Sequence, residues 1–232
     1  MTDSWSVERT KGSVADRHGP VGSISRRMVL LHQVPRPTVV VGSGQRDFSG
    51  LTKRAAASEF DVVRRRSGGG AVLLRPEGVL WVDVLLPRTD PLWEDDIGRS
   101  SAWLGRAWVD ALAWIGVEAD VCQTDTAFAK TAGSMGRKVC FAGRTTGEVV
   151  CADRKVIGIS QRRDRSGARF QCAALLGPDA GARLVAPLVD LLEVEPRVKT
   201  LAAIEALVGG ITVAGLAVEA DQLFEAFFKS LP

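Results

Sequence analysis

An α+β domain is what this sequence predicts, from three observations. β-branched runs crowd residues 38–86, three alternating segments follow one another over 148–176, and the long helical spacings lie at 97–115 and in the stretch after 179. The chain has 232 residues, 46% hydrophobic and 25% charged, the balance of a globular domain with a real core. A net charge of +3 is too mild to point to a nucleic-acid partner. No apolar run approaches the roughly 20 residues of a membrane span. Residues 1–20 carry no apolar h-region, so a cytoplasmic location is expected. Those residues read as a flexible arm, and residues 21–232 as a single domain.

Met28 to Leu31 fits a short strand or helix, broken by Pro35 and Pro37. Thr38 to Gly42 reads as a strand running into the Gly42-Ser43-Gly44 turn, and Ser49 as the cap of a helix to about Ser58. Phe60 to Val63 is the next strand. It delivers the chain to Arg64-Arg65-Arg66-Ser67-Gly68-Gly69-Gly70-Ala71-Val72. Three adjacent glycines leave bare N–H groups that can curl around an anion, and the arginines offer bidentate contacts to phosphate or carboxylate. We therefore read an anion site here rather than a flexible turn beside a solvated basic run.

Ala71 to Leu74 and Val79 to Leu86 look like a hairpin around Pro76-Glu77-Gly78. Leu80, Val82, Val84 and Leu86 would form its core face. Asp83, among apolar neighbours, is either the partner of an arginine or a group lining a ligand pocket. The spacing of Ile97, Ser101, Leu104, Trp108, Leu112 and Ile115 predicts an amphipathic helix ending at Gly116, its tryptophans in the core. Glu118 to Cys122 is a short strand, and residues 123–138 a loop long enough to be a lid. The meander is Glu148 to Ala152, Lys155 to Gln161 and Arg169 to Leu176, with a tight turn at Asp153-Arg154 and a second over Asp164 to Gly167. The rest reads as helical: Asp179 to Leu192, bent near Pro187, a stripe from cap Thr200 to Gly209-Gly210, and a C-terminal helix through Leu223, Phe227 and Leu231.

The four cysteines include no C-x-x-C pair, so neither zinc nor a disulfide framework is indicated, and only two histidines, His18 and His32, exist. A histidine-based mechanism would have to recruit one of these. Lys155 shares the alternating face of Ile157, Ile159 and Gln161. On pattern alone it is an edge gatekeeper; the other reading is a buried cation facing a ligand. Cys140 has Arg137, Lys138 and Arg144 nearby in sequence, which suits a reactive thiol, though cysteines also serve as small core residues.

The segment 62–72 resembles the arginine–glycine signature of lipoate–protein ligases, and Asp153-Arg154-Lys155-Val156-Ile157-Gly158-Ile159-Ser160-Gln161-Arg162 resembles their second signature. Thr38 to Gly42 with Gln45, and Arg197 to Leu201, are similar to the flanking segments, in the same order over roughly residues 35–205. The resemblance implies the biotin/lipoate ligase fold: a mixed, largely antiparallel sheet packed against helices. It implies an enzyme that attaches lipoate or octanoate to a lysine of a carrier domain through an acyl-adenylate, using ATP with Mg. Lys155 would point at the acyl carbonyl and phosphate. Arg65, Arg66, Ser67, Gly68, Gly69, Gly70 and Ala71, with Asp83, Gly158 and Ser160, would bind substrate or nucleotide, and the aliphatic row beyond Lys155 would line the acyl slot.

Cys140-Phe141, Glu148 and Lys155 are also similar to the octanoyl-transferase branch. That implies a Cys140 thioester taken from an acyl carrier protein, with no ATP. The chain departs from the family where Leu74-Arg75 replace a His-Asp pair, Asp153 replaces a glycine, and Cys172-Ala173 replace a His-Gly pair. A non-catalytic acyl or nucleotide binder is the third reading. No accessory C-terminal domain is expected.

Overall fold

The computed structural model describes residues 4–122, 135–194 and 197–232. Its elements, in chain order, are β1 (Ser6–Thr10), α1 (Val14–Arg17), β2 (Met28–His32), β3 (Thr38–Val41), α2 (Phe48–Ala56), β4 (Asp61–Arg64), β5 (Val72–Leu74) and β6 (Val79–Pro87). Then come α3 (Ala102–Trp114), β7 (Asp120–Val121), α4 (Met135–Lys138), β8 (Val149–Cys151), β9 (Arg154–Arg163) and β10 (Gly167–Leu175). A π-helical turn (Gly181–Val185) leads into α5 (Ala186–Leu191), followed by α6 (Arg197–Leu207), β11 (Thr212–Val213), β12 (Leu216–Ala217) and α7 (Ala220–Lys229).

Seven strands form one sheet in the order β1-β2-β6-β10-β9-β8-β7. Only β1 and β2 run parallel; the other pairs are antiparallel. A second sheet has the order β4-β3-β5, with β3 parallel to β4 and antiparallel to β5. The mixed, largely antiparallel sheet with packed helices is the expected fold class.

The two sheets explain why all nine residues of β6 are buried. Leu80, Val82, Val84 and Leu86 pack with α3 and α7, where Trp108 stacks on Phe227 at 3.8 Å. Val79 and Trp81 face the other way, into a core shared with Val39, Val40, Val41, Val72, Leu73 and Leu74 of the small sheet. Burying each such aliphatic or aromatic side chain contributes about 1.5–3 kcal/mol. The hairpin expected from β5 and β6 does not form. Their partners lie in different sheets, β3 for one and β2 with β10 for the other, because β6 must cover both cores.

Other boundaries also move. The stretch expected as a flexible arm contains β1, hydrogen-bonded along β2, and α1, capped by Ser13. Asp47 caps α2 in place of Ser49, its carboxylate accepting from the Gly50 amide. α3 begins only at Ala102, leaving Ile97 in a turn and 66% exposed; Trp103 and Trp108 are core, but Trp114 is exposed. Thr200 lies inside α6 and not at its start, and the small β11–β12 hairpin interrupts what reads as all helix. Of the expected lid, residues 123–134 lie outside the described residues, and 135–138 form α4.

The meander is in place. Ala152 and Asp153 both adopt positive φ (45° and 57°), the two-residue turn whose twist suits an antiparallel pair. Asp164 closes the next turn by accepting from the amides of Ser166 and Gly167. Among the described residues no helix is long and apolar enough to cross a membrane.

Candidate functional site

β4 ends at Arg64, and the glycine loop turns over the mouth of the small sheet. Its shape is fixed from below. The Arg65 guanidinium is buried and donates to the Gly68 carbonyl (2.7 and 3.2 Å) and the Gly70 carbonyl (3.0 Å), so the loop closes around its own arginine. Gly42 sits directly under it: a Cβ there would lie 1.9 Å from the Gly69 carbonyl oxygen. Gly69 has φ +97°, a conformation open to glycine, and a Cβ on Gly70 would strike the Val139–Cys140 backbone at 2.6–2.7 Å. Gln45 braces the same turn through the Gly42 amide and the Lys138 carbonyl.

Opposite the loop stands Lys155, the first residue after the meander turn but one. The ladder slips here: Val149 pairs with Ile157, but Val150 pairs with Lys155. This one-residue bulge breaks the alternation and re-aims the lysine. Ile157 goes into the helix-side core, whereas the Lys155 ammonium turns to the cleft beside Gly158, where an added Cβ would just touch Lys155 Cε and the Phe141 ring at 3.4 Å. Lys155 is therefore no edge gatekeeper. It is 1% exposed, and its three protons meet Glu148 Oε1 (2.7 Å), the Gly143 carbonyl (2.9 Å) and the Cys140 carbonyl (3.0 Å). Glu148 is equally committed, accepting also from the amides of Ile159 and Thr145. A buried pair of this kind is held by its hydrogen bonds as much as by charge.

The loop and the lysine converge on one cleft of about 540 Å³, lined by Arg65, Gly68, Gly69, Gly70, Cys140, Glu148, Lys155, Ile159 and Ser160 among others. A narrow slot of about 30 Å³ continues from it, between Val40, Val72, Leu74, Trp81, Phe141, Gly158, Cys172 and Ala173. The apolar slot is thus built from both sheets, and not from the aliphatic row beyond Lys155 as expected. Cys140 lines both spaces, and its sulfur is 4.0 Å from the Lys155 ammonium. Cys172 is fully buried, and burial pushes its thiol pKa well up, which suits a core residue.

Four of the expected residues lie elsewhere. Arg66 is exposed and lines a separate hollow behind the loop. Ser67 is buried beneath it, bonded to Ser160 and Gln171. Ala71 is a backbone strut, its amide donating to Lys138 and its carbonyl accepting from Cys140. Asp83 takes the arginine-partner reading. It is 0% exposed, bonded to Arg169 through Nε at 2.7 Å and again through Nη2, with His32 Nε2 at 2.9 Å and the Trp81 indole donating at 3.1 Å. Burial alone would raise the Asp83 pKa, but His32 and Arg169 hold it below the usual carboxylate range.

One site residue escaped the sequence reading. His18, from the supposed arm, reaches the slot and stacks on Trp81 at 4.9 Å. Burial, with Arg169 and Arg65 nearby, lowers its pKa to about 4 against the pull of Asp83, so the ring is neutral at pH 7. The scarcity of histidine was its one signal.

Residues 17–231 match the lipoyl protein ligase A/B catalytic domain. The chain belongs to that family. In fold it is similar to a putative lipoate protein ligase from Thermoplasma acidophilum with bound lipoic acid, at TM-score 0.65 and 15% identity, covering 99% of this chain and 84% of that one. A structure of an archaeal bipartite lipoate protein ligase and its E2 lipoyl domain, from the same organism, gives 0.67 and 16%, covering 99% and 82%. Lipoate-protein ligase A bound with ATP gives 0.57 and 16%, covering 99% and 95%. No curated protein matches the chain in sequence.

The cleft suits a nucleotide: it is roomy, floored by glycine backbone and faced by a fixed cation. It suits a magnesium ion poorly. Among the described residues that line it, Glu148 is the one carboxylate, and both its oxygens are already taken.

Proposed function

We propose that this chain is a ligase of the lipoate–protein kind, activating lipoate or a similar acid as an acyl-adenylate and passing the acyl group to a lysine of a carrier domain. The observation that carries this reading is the convergence of Lys155 and the Gly68–Gly70 backbone on one cleft that adjoins an apolar slot. ATP would supply the AMP that makes the carboxylate a good acyl donor, the carboxylate oxygen bonding to the α-phosphorus and pyrophosphate leaving. The residues do the rest. The Gly68–Gly70 amides donate to no backbone acceptor among the described residues and would meet phosphate oxygens. The Lys155 ammonium, already oriented, exchanges a carbonyl partner for the acyl oxygen or phosphate and steadies the charge that builds there as the incoming amine attacks and AMP departs. The acceptor amine's proton leaves with solvent. The basic groups near the glycine loop suit an acidic carrier surface.

Isothermal titration with a non-hydrolysable lipoyl-adenylate mimic tests this. Wild type binds; Lys155→Ala binds at least about tenfold more weakly, a loss of ~1.4 kcal/mol. Lys155→Met with Glu148→Gln, which removes both charges of the pair together, loses as much. No binding by wild type, or equal binding by both variants, would refute the reading.

A second reading has its own support. Cys140 stands where slot and cleft meet, 4.0 Å from a cation, the place for an acyl thioester. In it the thiolate attacks the acyl carrier's thioester carbonyl, and the carrier thiol leaves. Intact-mass measurement after incubation with octanoyl carrier protein decides: an octanoyl adduct lost in Cys140→Ser supports it, and an unchanged mass excludes it.

A further inference from the structure

Three spaces lie in series. The cleft shares Arg65, Cys140 and Ser160 with the slot. The slot shares His18 and Gln171 with a third hollow of about 80 Å³ that opens behind the glycine loop. The slot thus adjoins the cleft at Arg65, Cys140 and Ser160, and one imidazole and one carboxamide stand between it and the hollow.

That partition is fixed. The His18 ring stacks on Trp81 with 17° between the planes, and its Nδ1 lies 3.1 Å from Gln171 Nε2. The backbone on both sides of it is pinned, because Arg169 donates to the carbonyls of Arg17 and Gly19. Arg169 is itself held by Asp83, the buried carboxylate of β6. Only 6% of His18 is exposed.

We infer that His18 is the end stop of the acyl slot and sets the length of the carboxylic acid this chain accepts, a statement that rests on the acyl-binding reading above. An acid whose carboxyl group lies near Lys155 runs its chain past Cys140 and Ser160 toward Trp81, parting the walls of a slot whose free space of about 30 Å³ has room for about two water-sized groups. Each methylene that enters leaves water, until the tip meets the imidazole. A longer chain has to stay folded in the cleft or displace the ring from its stack. With the ring removed, slot and hollow become one channel, and longer acids keep gaining.

Calorimetric titration of straight-chain acids from about four to about fourteen carbons, against wild type, His18→Ala and His18→Phe, tests this. Wild-type affinity rises to a maximum and falls for longer acids. In His18→Ala the maximum moves to acids longer by about two carbons or more, with roughly a fourfold gain per added methylene past the wild-type limit. His18→Phe refills the space with a ring that can stack on Trp81, and keeps the wild-type maximum. Gln171→Ala removes the other half of the partition and shifts the maximum in the same direction, which covers the case of a poorly folding His18→Ala. The same maximum in wild type and both alanine variants, or a His18→Phe profile that follows His18→Ala, overturns the end stop. Binding of no acid to any of these proteins, while the adenylate mimic still binds, also overturns it but leaves the ligase reading standing. Failure of the mimic as well removes both.

Discussion

Two buried ion pairs stand on neighbouring strands of the large sheet and do different work. Lys155–Glu148 fronts the cleft, and Arg169–Asp83 bridges β10 and β6, with Asp83 walled in and Arg169 at the edge of the small hollow. Both are made of groups that cost several kcal/mol to bury alone. The second pair is wrapped by His32 and the Trp81 indole and holds residues 17–19 in place. The cleft pair makes its remaining hydrogen bonds to the Cys140 and Gly143 carbonyls and the Thr145 and Ile159 amides, and lines the cleft. The two pairs differ in what adjoins them: both members of the cleft pair line the roomy cleft, whereas Asp83 is walled in and only Arg169 reaches a hollow, the small one behind the glycine loop.

The comparison breaks most visibly at Asp83. Asp83→Asn leaves the Arg169 guanidinium buried without its counter-charge and should cost about 3–5 kcal/mol of stability. Urea denaturation measures this, and the folded fraction should still bind the adenylate mimic. The second effect is one of pH. His18 has a folded-state pKa of about 4, below its unfolded value of 6.5, so the native state resists the proton that the unfolded chain takes up. Stability is fully present above pH 6.5 and is lost as the pH falls toward 4, by up to about 3 kcal/mol. Denaturation midpoints measured between pH 7 and 4 should fall more steeply for wild type than for His18→Phe. Gly70→Ala comes next. The methyl strikes the Val139–Cys140 backbone, so a loss of about 1–3 kcal/mol is expected by thermal unfolding, with mimic binding weakened in parallel. Smallest is Arg66→Ala. This side chain lies outside the cleft, so calorimetry should find mimic affinity within about twofold of wild type and stability within ~0.5 kcal/mol.

Local signals in the sequence were enough for most of the strands. β-branched runs marked β3 and β4, and Asp153 marked the turn before β9, because each depends on neighbours a few residues away. The expected β5–β6 hairpin failed since sheet membership is decided by burial on both faces of β6, which no local pattern records. The alternation rule also misassigned Lys155 to the Ile157 face. A bulge is a property of the pair of strands, and β9 alone does not show it. Arg65 and the glycines were legible as a cradle; that Arg65 braces the loop while Arg66 faces away was not, since two adjacent arginines look alike in sequence. His18 was least legible of all. Its place in the slot wall depends on a parallel strand near the start of the chain and on Arg169, 151 residues later, in the meander.

The slot takes Val40, Val72 and Leu74 from the three-stranded sheet, and Trp81 and Ala173 from the seven-stranded one. A molecule lodged there would rivet the two together, so that neither could breathe independently of the other. Amide exchange in β3 and in β10 should then slow by the same factor on saturation, two separately hydrogen-bonded layers answering as one to a single guest.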